Sequence, residues 1–172
     1  MSDLVLKAAK FAREKHSGQV RKHSGLGYIQ HPMRVAGNVS LHPRVTEPMV
    51  AAAWLHDVVE DCGVTHEEVH DSFGYDIYFM VYQLTNPSKG SKESRADRKK
   101  MDREHLKRAS WSAKIIKMED RIDNLLDMSK AKEDFKHLYV SESLLLLEVI
   151  GDADSELRDR FLLACGRLLG NI

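Results

Sequence analysis

The sequence predicts an all-α domain of eight or nine helices. Apolar residues recur at helical spacing through most of its length. Capping residues (Ser, Thr, Asp), prolines and glycines punctuate those runs where helices start and stop. No segment alternates apolar and polar residues as a half-buried strand would.

Leu4, Val5, Ala8, Phe11 and Ala12 mark the first helix, with Ser2 or Asp3 as its cap. The loop "HSGQVRKHSGLGYIQHP" follows and holds three glycines. Pro32 is expected to open a short helix to about Val39, because proline suits the first helical position. "LHPR" ends it. Pro48 starts the next helix, which carries "VAAAWLHDVVED" and stops at Gly63. "THEE" reads as a capping box in which Thr65 caps and Glu68 reaches back. The helix after it is short and stops before "FG". Another runs from about Asp76 to Leu84. "NPSKGSKES" is a loop, followed by a charged, helix-prone segment from Arg95 to Arg108. Ser110 caps a long helix with Ile115, Met118, Ile122 and Leu125 on one side. A leucine-rich helix lies near Tyr139 to Ile150. Asp152 or Asp154 opens a last helix to Leu169.

The chain has 172 residues, enough to bury a core in one domain. Its 26 basic and 26 acidic residues cancel, which argues against a general nucleic-acid binder. Two cysteines, Cys62 and Cys165, make no disulfide framework. The start "MSDLVLKAAKFAREKH" lacks the pattern of a signal peptide. No stretch reaches the ~18 apolar residues of a membrane span. A reducing cytoplasm is the default compartment, no membrane or nucleic-acid partner is expected, and a homo-oligomer is compatible with the sequence.

The informative stretch is "VAAAWLHDVVED", Val50 to Asp61. Eight of its first ten residues are apolar, yet it carries His56 with Asp57 and then Glu60 with Asp61. On a continuous helix, residues four apart stack on one face, so His56 lies over Glu60 and Asp57 over Asp61. A helix this apolar cannot leave all four groups in water. A buried charge needs a partner or a metal. His31, before Pro32, and Asp120, within the apolar pattern of "IIKMEDRIDN", are the further candidate ligands. Two histidines and two aspartates suit manganese, iron or cobalt, with zinc also compatible. Taken singly, each residue is more often a surface pair, a cap-region residue or a solvated carboxylate. Their combination makes a metal site about even.

Four motifs taken in order, "HSGQVRKHSGLGYIQHPMRVA", "AAWLHDVVED", "FG" and "IIKMEDRIDNL", resemble the hydrolase domain of RelA/SpoT-type alarmone enzymes. The short chain is more closely similar to the stand-alone small alarmone hydrolases of the HD superfamily of metal-dependent phosphohydrolases. The resemblance spans Leu4 to Tyr139 and implies one HD-type domain over residues 1–172. It implies one manganese ion on His31, His56, Asp57 and Asp120, with Glu60 and Asp61 serving the attacking water or the attacked phosphate. It implies removal of the 3′-pyrophosphate of guanosine tetra- or pentaphosphate, with Arg21 packed on the base and Asn124 near the nucleoside.

The residues agree with that implication. Asn124 lies four after Asp120 and shares its side of the helix, and Lys117 lies three before it. Arg21 offers a flat guanidinium for stacking, Lys22 a point charge for phosphate. Tyr28 suits the nucleoside pocket or the core equally. For Arg21 and Lys22 a wet loop is the plain alternative. The segment from Asn86 to Arg108 holds nine Lys or Arg against four Asp or Glu, and Arg98 and Lys99 are its candidate phosphate contacts. A solvated charged helix explains that segment as well.

Three residues depart from the family's usual pattern. Gly27 replaces a proline and is expected to loosen the loop carrying Arg21 and Tyr28. Asp123 replaces a histidine or tyrosine and would place a negative charge near the nucleotide if it points inward. Cys62 replaces a threonine. These departures bear on the substrate more than on the chemistry. They keep open another phosphorylated nucleotide, such as NADPH. A non-catalytic alarmone sensor is the other alternative, and the complete ligand and Glu–Asp sets argue against it.

Overall fold

The computed structural model describes residues 2–170. The fold is all-α, and no strand occurs among the described residues. The first helices are α1 (Asp3–Lys15), α2 (Gln30–Ser40), α3 (Glu47–Leu55) and α4 (Val58–Asp61). Then come α5 (His66–Phe73), α6 (Tyr75–Leu84), α7 (Arg95–Lys107) and α8 (Trp111–Asp127). A 3₁₀ turn (Met128–Lys130), α9 (Glu133–Ile150) and α10 (Ser155–Leu168) complete the order. Counting α3 and α4 as one interrupted helix leaves nine among the described residues.

Most helix starts follow the capping logic of the sequence. Ser2, Thr65, Ser110 and Asp154 each accept a hydrogen bond from the main-chain N–H three residues on. Thr46, rather than Pro48 alone, fixes the start of α3 by accepting from the Met49 N–H. The capping box at Thr65 is only half made. Glu68 gives its N–H to Thr65, but its carboxylate pairs with Lys15 at 2.8 Å. Helix α2 begins two residues before Pro32, so His31 sits inside its first turn and not ahead of it. Gly74 joins α5 to α6 at φ 81°, a left-handed angle that a side chain would strain.

Two helices form the centre. Helix α3 buries Met49, Ala51, Ala52, Ala53 and Leu55, so it is covered on all sides. Its alanines let α1, α2 and α6 approach closely. Helix α8 buries every residue from Ile115 to Asp123 and packs against α2, α3, α6, α9 and α10. Helix α2 touches both central helices. The polar cluster lies where α2, the α3–α4 junction and α8 meet. No helix among the described residues is long and apolar enough to cross a membrane.

Candidate metal centre

The helix expected to run unbroken through "VAAAWLHDVVED" is interrupted at His56 and Asp57. His56 closes α3, and Asp57 opens α4 at φ −103° and ψ −6°, in the sparsely populated bridge region. The interruption has a geometric result. On a regular helix adjacent side chains diverge by about 100°. Here His56 Nε2 and Asp57 Oδ2 come within 3.2 Å of each other and face one point.

His31 reaches that point from α2. Its Nε2 lies 3.2 Å from His56 Nε2, 3.4 Å from Asp57 Oδ2 and 3.2 Å from Asp120 Oδ1. Asp120, on α8, lies 3.7 Å from His56 Nε2. His31, His56 and Asp57 form the compact part of the cluster, and Asp120 flanks both imidazoles. All four predicted ligands therefore converge. Bonds of about 2.1 Å to one ion place adjacent donors roughly 3.0–3.4 Å apart, so the spacing fits a divalent transition metal.

The tautomers fit as well. Asp123 Oδ2 lies 2.6 Å from His31 Nδ1, and the Ala53 carbonyl lies 2.7 Å from His56 Nδ1. Both oxygens accept, so each Nδ1 carries a proton. A neutral ring then turns the lone pair of its Nε2 toward the shared point. Burial opposes the charged form of His56, but the charges of Asp57 and Asp120 outweigh it and push its pKa up to about 9. Burial likewise opposes charge on His31, and Asp120, Asp123 and Asp57 raise it well above the ordinary histidine value. A cation must displace those protons. Metal affinity is thus expected to rise with pH toward about 9 and to fall as pH drops below it. Metal titrations at several pH values check this, and an affinity indifferent to pH across the neutral range would contradict it.

The Glu60–Asp61 pair does not act as one unit. Glu60 Oε1 accepts from the Asn86 N–H at 2.7 Å and its Oε2 from Asn86 Nδ2 at 3.1 Å. Burial raises the Glu60 pKa, against the lowering effects of Lys117 and the Asn86 hydrogen bonds. Asp61 is more exposed and accepts from the Tyr28 hydroxyl at 2.9 Å. That hydroxyl also lies 2.7 Å from Asp57 Oδ2. Burial first, then the charges of Asp57 and Asp61, raise the Tyr28 pKa and keep the phenol protonated. Tyr28 therefore ties the cluster to Asp61, and its ring stacks on His16 at 4.8 Å.

Arg21 is neither in a wet loop nor free. It is 7% exposed, donates to Asn124 Oδ1 at 2.8 Å and to Asp127 Oδ2 at 3.2 Å. Asn124 in turn donates to Asp120 Oδ1. The loop carrying Arg21 and Tyr28 is tied despite Gly27. Arg21 N–H donates to Leu26, Tyr28 N–H to Gln19 and Gly25 N–H to Arg21, around the Val20–Gly27 bridge. Gly27 donates none of these bonds.

A buried basic group flanks the other side of Asp120. Lys117 Nζ lies 2.7 Å from Asp120 Oδ2. Arg121 is 8% exposed, sits 4.5 Å over the Tyr139 ring, and leaves Nε and Nη1 without a hydrogen-bond partner. Lys99 is close enough that, after burial, the Arg121 charge is what most lowers its pKa. By contrast Lys22 is exposed, and Arg98 donates to the Glu93 carbonyl at the mouth of its own loop. Asp127, Arg34 and Asn86 do not stand out as functional in the sequence, and Asp123 stands out only as a departure from the family's pattern. The signal for two of them exists: Asp120, Asp123, Asn124 and Asp127 follow helical spacing as one polar stripe on an otherwise buried helix.

This arrangement of helices and polar cluster defines an HD-type protein. The chain belongs to the HD domain family, which matches residues 8–149. It is 39% identical over 129 residues to a Xenopus tropicalis protein named guanosine-3′,5′-bis(diphosphate) 3′-pyrophosphohydrolase MESH1, covering 74% of this chain and 70% of that one. The Homo sapiens MESH1 protein is 36% identical over 128 residues, 73% of this chain and 70% of its own length. Among solved structures, one described as a metazoan ortholog of SpoT that hydrolyzes ppGpp superimposes with a TM-score of 0.87 at 26% identity, covering 100% of this chain and 98% of that chain. The resemblance carried by the four motifs holds.

Proposed function

We propose that this protein hydrolyses the 3′-pyrophosphate of guanosine tetra- or pentaphosphate, releasing pyrophosphate and GDP or GTP, with manganese as its ion. The observation that carries the reading is the convergence of His31, His56, Asp57 and Asp120 from separate helices on one point. The named activity of the relatives supports it.

His31, His56, Asp57 and Asp120 would hold the ion. Once bound, a divalent transition metal supplies Lewis acidity and a water of lowered pKa. The reaction adds water to the phosphorus that esterifies the 3′ oxygen. The bond from that phosphorus to the 3′ oxygen breaks, pyrophosphate leaves with the new oxygen, and a proton ends on the 3′ hydroxyl.

Glu60 is the proposed general base. Its raised pKa moves it toward the range in which a carboxylate accepts a proton well at neutral pH. Asn86 fixes its orientation through two hydrogen bonds. Asp61 anchors the Tyr28 hydroxyl and so braces Asp57. Lys99, Lys117 and Arg121 place positive charge where the pyrophosphate departs, and the two unpartnered nitrogens of Arg121 are free to donate to it. Arg21 and Asn124 form the nucleoside side of the site, next to Asp120.

A nucleotide panel tests the substrate. Manganese-loaded protein is offered guanosine tetraphosphate, guanosine pentaphosphate and NADPH, each scored by product. The guanosine polyphosphates are expected to turn over with clearly higher kcat/KM. Faster attack on NADPH would overturn the substrate assignment, and binding without turnover would favour a sensor.

A further inference from the structure

We propose that Asp123 is a positioning residue for the metal centre: clamped by Arg34, it holds His31 in the orientation and tautomer that present Nε2 to the ion. The inference rests on the metal-site reading above but not on the identity of the nucleotide.

Three distances carry it. Asp123 Oδ2 accepts a hydrogen bond from His31 Nδ1–H at 2.6 Å. Arg34 donates from Nε to Asp123 Oδ1 at 2.5 Å and from Nη2 to Oδ2 at 3.0 Å. Both oxygens of the carboxylate are therefore held, and a two-point guanidinium grip fixes the carboxylate plane as well as its position. Arg34 lies three residues after His31, on the same side of α2. One helix thus supplies both the ligand and the arm that steadies the ligand's partner.

Helix α8 completes the frame. Asp120 and Asp123 are three residues apart on it, so they share a face. Asp120 meets the Nε2 edge of His31, and Asp123 meets the Nδ1 edge of the same ring. The imidazole is 0% exposed and caught between them. It has no freedom to flip without breaking the bond to Asp123. A carboxylate on the outer nitrogen also raises the basicity of the inner one, and outer partners of this kind typically contribute ~10–100-fold in metal affinity.

The arrangement assigns a job to a residue that departs from the expected pattern. Its negative charge is spent on His31 and Arg34, with Arg21 Nη2 farther off at 4.0 Å.

The test measures metal affinity without substrate. Metal-free wild-type protein, Asp123→Asn and Arg34→Gln are titrated with manganese against a chromogenic chelator, with helix content followed by circular dichroism. Both variants break the Arg34–Asp123 pair, but only Asp123→Asn takes the negative charge from His31. Asp123→Asn is expected to bind manganese ~10–100-fold more weakly, with Arg34→Gln losing clearly less. Wild-type affinity in Asp123→Asn would overturn the proposal and leave the metal site standing. Equal losses in both variants would also overturn it, since Asp123 would then act only as a brace between helices. No manganese binding by the wild type would remove the metal reading itself, and this inference with it. If Asp123→Asn does not keep its helix content, Asp123→Ser takes its place under the same criteria.

Discussion

Asp57→Asn is expected to empty the metal site and abolish turnover. Asp57 Oδ2 stands within 3.2–3.4 Å of both imidazole Nε2 atoms and is held there by the Tyr28 hydroxyl at 2.7 Å. The amide keeps the shape and removes the charge. A neutral oxygen is a weaker partner for a divalent ion, and its nitrogen can turn a donor toward the site. The two buried imidazoles also lose the carboxylate that offsets the cost of their burial. The loss of affinity exceeds the ~10–100-fold typical of residues that only support a ligand. Elemental analysis of the purified variant, beside a product assay, checks both halves. A variant that retains one equivalent of ion and full turnover would show that Asp57 is not a ligand.

Glu60→Gln does the reverse. It is expected to leave the ion in place and to slow the chemical step by roughly 10²–10⁴-fold, the usual worth of a general base. The glutamine can still accept from the Asn86 N–H, so the local packing survives. What disappears is basicity. Asp61→Asn is expected to cost less, because Asp61 is more exposed and Tyr28 retains its contact with Asp57. Metal content and nucleotide affinity are expected to stay near wild type in both. A greater loss in Asp61→Asn would move the base to Asp61. Unchanged turnover in both would place the base outside this pair.

Much of this was legible in the sequence because it rests on local rules. Ser2, Thr65, Ser110 and Asp154 cap helices through bonds that span only three residues. The apolar spacing of Ile115, Met118, Ile122 and Leu125 follows from burial of one helix in the centre. The interruption at His56 and Asp57 was not legible. An apolar run reads as continuous helix, and the break falls where α2, α3 and α8 meet. The early start of α2 escaped for a related reason, since Pro32 marks a first turn without saying which of its positions it fills.

The site divides the same way. His31, His56, Asp57 and Asp120 stood out as ionisable groups inside oily segments, and the four motifs named them together. Asp123 was visible as a departure, but its partner His31 lies 92 residues away in sequence. Arg21 reaches Asp127 across 106 residues. Helical spacing reveals which side chains share a face and says nothing of what the face meets. Lys99 and Arg98 show the limit again. They are neighbours in one basic run, yet Lys99 pairs with Asp102 at 3.4 Å, within the field of the Arg121 charge, while Arg98 turns back to the Glu93 carbonyl.

The most direct test of the central claim is the product balance of one reaction. Purified protein is stripped of metal, reloaded with manganese and incubated with guanosine tetraphosphate, and all products are resolved. GDP and pyrophosphate are expected in equal amounts, with no reaction while a chelator is present. Release of orthophosphate in place of pyrophosphate, loss of phosphate from the 5′ side, or full turnover in chelator would contradict it.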